Sequence, residues 1–413
     1  MEAPPVVLST PKPQYEVADI FREYGSAYRE GYPPPHEQER VMQAIEECRT
    51  AALDGHVDQC DHCGTLRISY NSCRNRHCPK CGALTQARWI QARQADLLPV
   101  PYFHVVFTLD HALNPLARCN PRAIYDALFT TAAQTLKEFS AQYLKGDLGF
   151  VAVLHTWGQD LGQHLHLHCI VTGGALSFDQ SHWRPCPTGF LFPVLPLSRA
   201  FRDKFCQTLA RLHQRGQLIF AGECAELEQP ESMQRLLAEL QAKNWEVYIQ
   251  EALPGPEQVM IYLGRYVQRT ALSNHRLVAI ENGQVSFRWR DNRHGGRPGV
   301  MTLSAVEFIR RFLLHVLPSG FVRIRYFGLL GNRDRSAKLR RCRELLGVPS
   351  DPPPLTPEST EALLKRLTGV DVQRCPVCGI GTMVRQQHLD PVYALFSQTS
   401  RMPQPHFAEA LVG

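Results

Sequence analysis

From Gln163 to Val171 the chain alternates polar and apolar residues with a period of two. That is the spacing of a strand with one covered face. Leu165, Leu167 and Cys169 point one way, and His164, His166 and His168 point the other. Runs of similar character predict strands over Tyr102–Leu109, Phe150–Trp157 and Trp245–Leu253. Apolar residues at helical spacing predict helices over Glu37–Ala52, Leu84–Leu98, Pro121–Tyr143 and Leu197–Gln214. Asn282-Gly283 lies between Leu277–Ile280 and Val285–Trp289, a turn that closes an antiparallel hairpin. Strands and helices mixed in this order, with hairpins among them, predict an α+β fold on a largely antiparallel sheet.

The 413 residues leave room for more than one domain. Three segments are expected: 1–95, carrying paired cysteines between helices; 96–347, carrying the histidine strand; and 348–413, a linker and C-terminal tail. Trp183–Pro196 is proline-rich and is expected to be an inserted loop, and Asp351–Pro357 a linker. From the acidic, proline-rich start no signal peptide is expected. The most apolar stretch, Leu97–Leu109, is broken by Pro99, Pro101 and His104, so no membrane partner is expected. A cytoplasmic protein is the expectation.

The net charge of +6 is unevenly placed: 265–343 holds 17 Lys or Arg against four acids, a balance of +13, so the rest sums to −7. One basic segment on an otherwise acidic chain points to a polyanion. Aromatics interleave with its arginines, as at Arg288-Trp289-Arg290 and Arg323-Ile324-Arg325-Tyr326. Guanidinium groups neutralise phosphates while aromatic faces stack on unpaired bases, so single-stranded nucleic acid is the expected partner.

In a reducing compartment, paired cysteines among the chain's fourteen point to metal binding rather than disulfides. Cys60-x2-Cys63 followed by Cys78-x2-Cys81 has the spacing of a structural tetrathiolate zinc (Zn2+) site. Cys73 and His77 lie within the loop as alternatives to one ligand. Arg74 and Arg76 beside it make the module a candidate DNA contact. Cys375-x2-Cys378 is one further knuckle with no second pair downstream; a degenerate ribbon, a local site and an intermolecular site all stay open.

His155 lies eleven residues before His166. If the two candidate strands form a hairpin turning at Asp160-Leu161, His155 faces His166 across the ladder and shares its side. His155, His166 and His168 would then form a three-nitrogen metal site with open positions for substrate oxygens. His164, nearer the turn, is an alternative to His155. Further on, Pro256–Thr270 has a helix-start proline and an acid in the first turn. Tyr262 and Tyr266 fall one turn apart on one face, with Arg265 and Arg269 alongside.

His166-Leu167-His168 followed by Tyr262-x3-Tyr266, behind a Cys-x2-Cys module, resembles the HUH rolling-circle transposases of the two-tyrosine insertion-sequence class. Ser72–Cys81 resembles that class's zinc domain, and His155–Gln159 with Tyr262–Tyr266 resembles its catalytic core. The resemblance spans residues from about 15 to 345. It implies a palm-like antiparallel sheet with flanking helices and the histidines on a central strand, preceded by a small zinc-binding domain. It further implies Mg2+ or Mn2+ at His166 and His168, Tyr262 and Tyr266 as nucleophiles, and single-stranded DNA nicking through a covalent 5′-phosphotyrosine. His155 matches the three-histidine arrangement of relaxases in spacing. A replication initiator or relaxase would use the same chemistry. A zinc-dependent DNA-binding protein with structural histidines and tyrosines would use none of it.

Overall fold

The computed structural model describes residues 13–253, 258–259, 264, 270–291, 295–351 and 358–392. In chain order its strands are β1 (Gly55–Cys60), β2 (Leu66–Tyr70), β3 (Tyr102–Thr108), β4 (Gly146–Trp157), β5 (Gln163–Ser177) and β6 (Trp183–Pro185). They continue with β7 (Val247–Leu253), β8 (Leu277–Glu281), β9 (Gln284–Asp291), β10 (Arg297–Ser304), β11 (Ile324–Gly328) and β12 (Met383–Leu389). The mixture of helices with antiparallel sheets is the α+β class expected.

Two units divide the chain, and neither is one consecutive segment. One gathers residues up to 87, 272–310 and those from 356 onward; the other gathers 88–271 and 311–355. This differs from the expected segments 1–95, 96–347 and 348–413. The physical reason is long-range pairing: β12, expected within a tail, is an antiparallel partner of β1. The 272–310 stretch is tied in where the Asn274 side chain accepts the Val17 backbone N–H at 3.1 Å.

The larger unit is built on a sheet of order β11-β4-β5-β3-β7, with β6 added beside β5. Its strands pair antiparallel throughout the described residues. One face is covered by helices Pro121–Phe139 and Val194–Gln214. Leu165, Leu167 and Cys169 of β5 join Phe107, Leu128, Leu136, Phe201 and Phe205 in that core. Burying such side chains contributes about 1.5–3 kcal/mol each. A one-residue slip of β5 would exchange them for histidines, so the alternation pins the register. The opposite face is covered at one end by a second cluster that includes Tyr102, Val151, Val153, Ile170, Val259, Leu329 and Leu339. The proline-rich stretch expected as a loop holds β6 and the first turn of the Val194–Gln214 helix.

The smaller unit holds two three-stranded sheets, β12-β1-β2 and β10-β9-β8. The β8–β9 turn falls on Asn282 and Gly283, both at positive φ (52° and 73°), the backbone that a two-residue hairpin needs and that Asn-Gly supplies at low cost. No helix among the described residues is long and apolar enough to cross a membrane.

Candidate metal centre and active site

Strands β4 and β5 form the expected hairpin, and His155 is the direct ladder partner of His166, with Val153 opposite His168. The tight turn is closed by the Gly158 N–H donating to the Gly162 carbonyl at 2.9 Å. Leu161 takes positive φ there (60°) with its side chain fully buried. His315 braces the turn: its Nε2 lies 3.0 Å from the Leu161 carbonyl and its Nδ1 3.2 Å from the Thr156 hydroxyl.

The three rings converge. Centroid separations are 5.4 Å for His155–His166, 4.5 Å for His155–His168 and 4.8 Å for His166–His168. One ring nitrogen from each lies within 4.8 Å of the others. Hydrogen bonds orient two of the rings. His166 Nδ1 lies 2.9 Å from the His164 carbonyl, and since a carbonyl only accepts, Nδ1 carries the proton and Nε2 is left as a lone-pair donor. His168 Nδ1 lies 2.8 Å from Nε2 of His104, a buried histidine on β3 whose ring stacks on that of His168. The Gln250 side chain in turn hydrogen-bonds to His104.

Burial pushes His166 down to about 3, helped by neighbouring His164, and pushes His104 down to about 4. Both rings are therefore neutral at ordinary pH, the form that ligates metal. His164 stands aside from the triangle, its Nδ1 3.3 Å from His111 Nε2. Nothing in the sequence singles out His104. A lone histidine in the apolar β3 carries no local signal, and only the β3–β5 pairing places it beside His168.

The expected tetrad Cys60, Cys63, Cys78 and Cys81 is not what the structure brings together. Cys78 and Cys81 cluster with Cys48 and Cys73, whereas Cys60 and Cys63 cluster with Cys375 and Cys378. The β1–β2 hairpin explains the split. The Cys60–Cys63 knuckle lies at its tip, where the Cys60 N–H donates to the Thr65 carbonyl. The Cys73–Cys81 loop leaves from its base, where the Asn71 N–H donates to the Asp54 carbonyl and the Arg49 N–H to the Asn71 carbonyl. At about 3.3 Å per residue, a five-residue strand separates tip from base by roughly 17 Å. No single ion spans that distance.

Arg74 and Arg76 are exposed in the cysteine loop. Arg288 and Arg290 are exposed on one side of β9. Arg323 and Arg325, expected to contact DNA, are placed otherwise. Arg323 is buried. Arg325 forms an ion pair with Asp126 and lies over the Phe129 ring, 4.1 Å from its centroid. Tyr262, Tyr266, Arg265 and Arg269 lie outside the described residues.

Two family models match the chain: "Transposase zinc-binding domain" over residues 20–109 and "Putative transposase" over residues 149–338. The putative transposase y4qJ of Sinorhizobium fredii (strain NBRC 101917 / NGR234) is 50% identical over 382 residues, covering 91% of this chain and 96% of that protein. The chain belongs to the IS91-type transposase family. The transposase for insertion sequence element IS801 of Pseudomonas savastanoi pv. phaseolicola is 29% identical to this transposase over 389 residues, covering 91% of each. No solved structure matches it. The first family match contains the Cys48–Cys73–Cys78–Cys81 cluster, and the second contains all three histidines. The transposase therefore pairs a cysteine-rich zinc-binding module with a histidine-lined sheet.

Proposed function

We propose that this transposase nicks and rejoins single-stranded DNA at insertion-sequence ends through a covalent 5′-phosphotyrosine, driving rolling-circle-type transposition. The observation that carries the reading is the convergence of His155, His166 and His168 on one side of a central hairpin. Their nitrogens would hold Mg2+ or Mn2+. When bound there, a divalent ion polarises the scissile phosphate and offsets its charge.

Tyr262 and Tyr266 are the proposed nucleophiles. A tyrosine hydroxyl, with pKa near ~10, is a weak nucleophile unless its electrophile is activated. Attack in line on phosphorus forms the tyrosine ester at the 5′ end and releases a 3′-hydroxyl. That hydroxyl reverses the reaction at another strand. Val259, three residues before Tyr262, is fully buried in the same cluster as Val153 and Ile170. Val153 is the ladder partner of His168, so Val259 packs on the side of the sheet that carries the histidines. Exposed Arg74, Arg76, Arg288 and Arg290, with Arg265 and Arg269 beside the tyrosines, are the proposed DNA contacts. Action on DNA would place the protein in the cytoplasm, at the nucleoid.

The test is incubation of the full chain with a labelled single-stranded element end and Mn2+, followed by denaturing electrophoresis. A protein-linked fragment that disappears with EDTA, and in His166→Ala and His168→Ala chains that stay folded, is the expected result. Undiminished cleavage under EDTA would refute the metal reading.

A further inference from the structure

Cys375 and Cys378 lie beyond both family matches, which end at residues 109 and 338. Their surroundings are nonetheless built like those of Cys60 and Cys63. In each knuckle the glycine after the second cysteine takes positive φ: 73° at Gly64 and 65° at Gly379. Each of those glycines donates its N–H to the carbonyl of the first cysteine at 3.0 Å. In each knuckle a backbone N–H also points at a sulfur from 3.4 Å, Cys63 N–H at Cys60 Sγ and Gly381 N–H at Cys378 Sγ. Amides so placed favour thiolates over thiols.

The two knuckles are locked face to face. The Asp61 N–H donates to the Thr382 carbonyl at 3.1 Å, and the Thr382 N–H returns a bond to Asp61 Oδ1 at 2.8 Å. A Cβ at position 381 would collide with Cys60 Sγ, so only glycine fits there. Beyond the knuckles the chain continues as β12 along β1. Cys60 Sγ lies 3.7 Å from Cys378 Sγ, and Cys63 Sγ lies 3.7 Å from Cys375 Sγ. A disulfide would need about 2.05 Å. A tetrahedron of sulfurs, each about 2.3 Å from zinc, has edges of about 3.8 Å.

We propose that Cys60, Cys63, Cys375 and Cys378 form a second structural zinc site, a tetrathiolate whose two halves come from opposite ends of the chain. The segment after the proline-rich linker is then a working part of the zinc-binding unit, and the transposase carries two structural zinc ions. The inference rests on the cysteine geometry and is independent of the chemistry proposed at the histidines.

Zinc content of the purified full chain, measured by mass spectrometry against protein concentration, tests it. Cys63→Ser and Cys378→Ser should each lose one equivalent, and the chain carrying both should lose no more than one, because they share a site. Cys48→Ser combined with Cys378→Ser should lose two. Full zinc retention by Cys378→Ser would overturn the proposal, as would a two-equivalent loss in the Cys63→Ser and Cys378→Ser double variant. Should the serine variants fail to fold, cobalt titration of the unaltered chain decides. Thiolate-to-cobalt absorption should saturate at two equivalents, and saturation at one would overturn the site.

Discussion

His104 Nε2 stands 2.8 Å from His168 Nδ1, with the two rings nearly parallel at 14°. The pair joins β3 to β5 on the side of the sheet that carries the candidate metal ligands. Were His168 to hold a metal through Nε2, its Nδ1–H would donate to His104, and Gln250 lies behind His104 as a further hydrogen-bond partner. Such partners fix the tautomer and orientation of a ligating ring. His104→Ala is expected to weaken Mn2+ affinity by roughly 10–100-fold, while excess Mn2+ restores nicking. His104→Asn, which can still accept a hydrogen bond, should recover part of the affinity. Calorimetric Mn2+ titration of the folded variants measures both. Unchanged affinity in His104→Ala would make His104 a packing residue only.

A second expectation concerns pH and stability. Burial pushes His315 down to about 4, and its ring nitrogens sit against the Leu161 carbonyl and the Thr156 hydroxyl. The unfolded side chain titrates near ~6.5, so below that value the unfolded chain binds more protons than the folded one. The contribution of His315 is fully present above pH ~6.5 and is lost as pH falls toward about 4. In that window it adds at most about 1.4 kcal/mol of destabilisation per pH unit. His315→Gln should lower stability at neutral pH and make its fall with acid shallower. Urea midpoints collected across the window give the slope. An equal slope in the variant would contradict the assignment.

The histidine hairpin is open to sequence reasoning because everything that sets it is local. The alternation at Gln163–Val171 gives the faces, and a short turn fixes the distance from His155 to His166. The cysteines are not, because their partners are chosen by the pairing of β1 with β12 across most of the chain. A Cys-x2-Cys knuckle announces half a site and never says which other half it meets. Cys48, alone at the end of helix His36–Glu47, carries no spacing signal at all. Arg325 shows a different limit. An arginine among aromatics looks the same in sequence whether it faces phosphate or, as here, Asp126 and Phe129.

That distinction separates two sets of arginines by experiment. Arg288→Gln with Arg290→Gln should weaken binding to many single-stranded DNAs alike. The salt dependence should flatten by about one unit of slope for each phosphate that is no longer neutralised. Arg325→Gln should instead cost stability, about 1–2 kcal/mol from its ion pair and ring contacts, with the salt slope unchanged. Fluorescence anisotropy at several salt concentrations, beside thermal melts, distinguishes the two. An altered slope in Arg325→Gln would return that residue to the DNA interface.

The two tyrosines are expected to have separable roles. Their four-residue spacing in the sequence matches one helical turn, the spacing that would let two hydroxyls serve one centre. One can hold the first 5′ end while the other attacks the second strand. Tyr262→Phe and Tyr266→Phe should each stop complete transposition. At least one of them should still form a covalent adduct on an isolated oligonucleotide. Phenylalanine keeps the ring and its packing, so lost activity reports the hydroxyl rather than folding. Peptide mapping of the DNA-linked fragment identifies the tyrosine joined to DNA in each variant. Full transposition by either single variant would establish a one-tyrosine enzyme in which the other ring only packs or positions DNA. An adduct from the double variant would remove both residues from the active site.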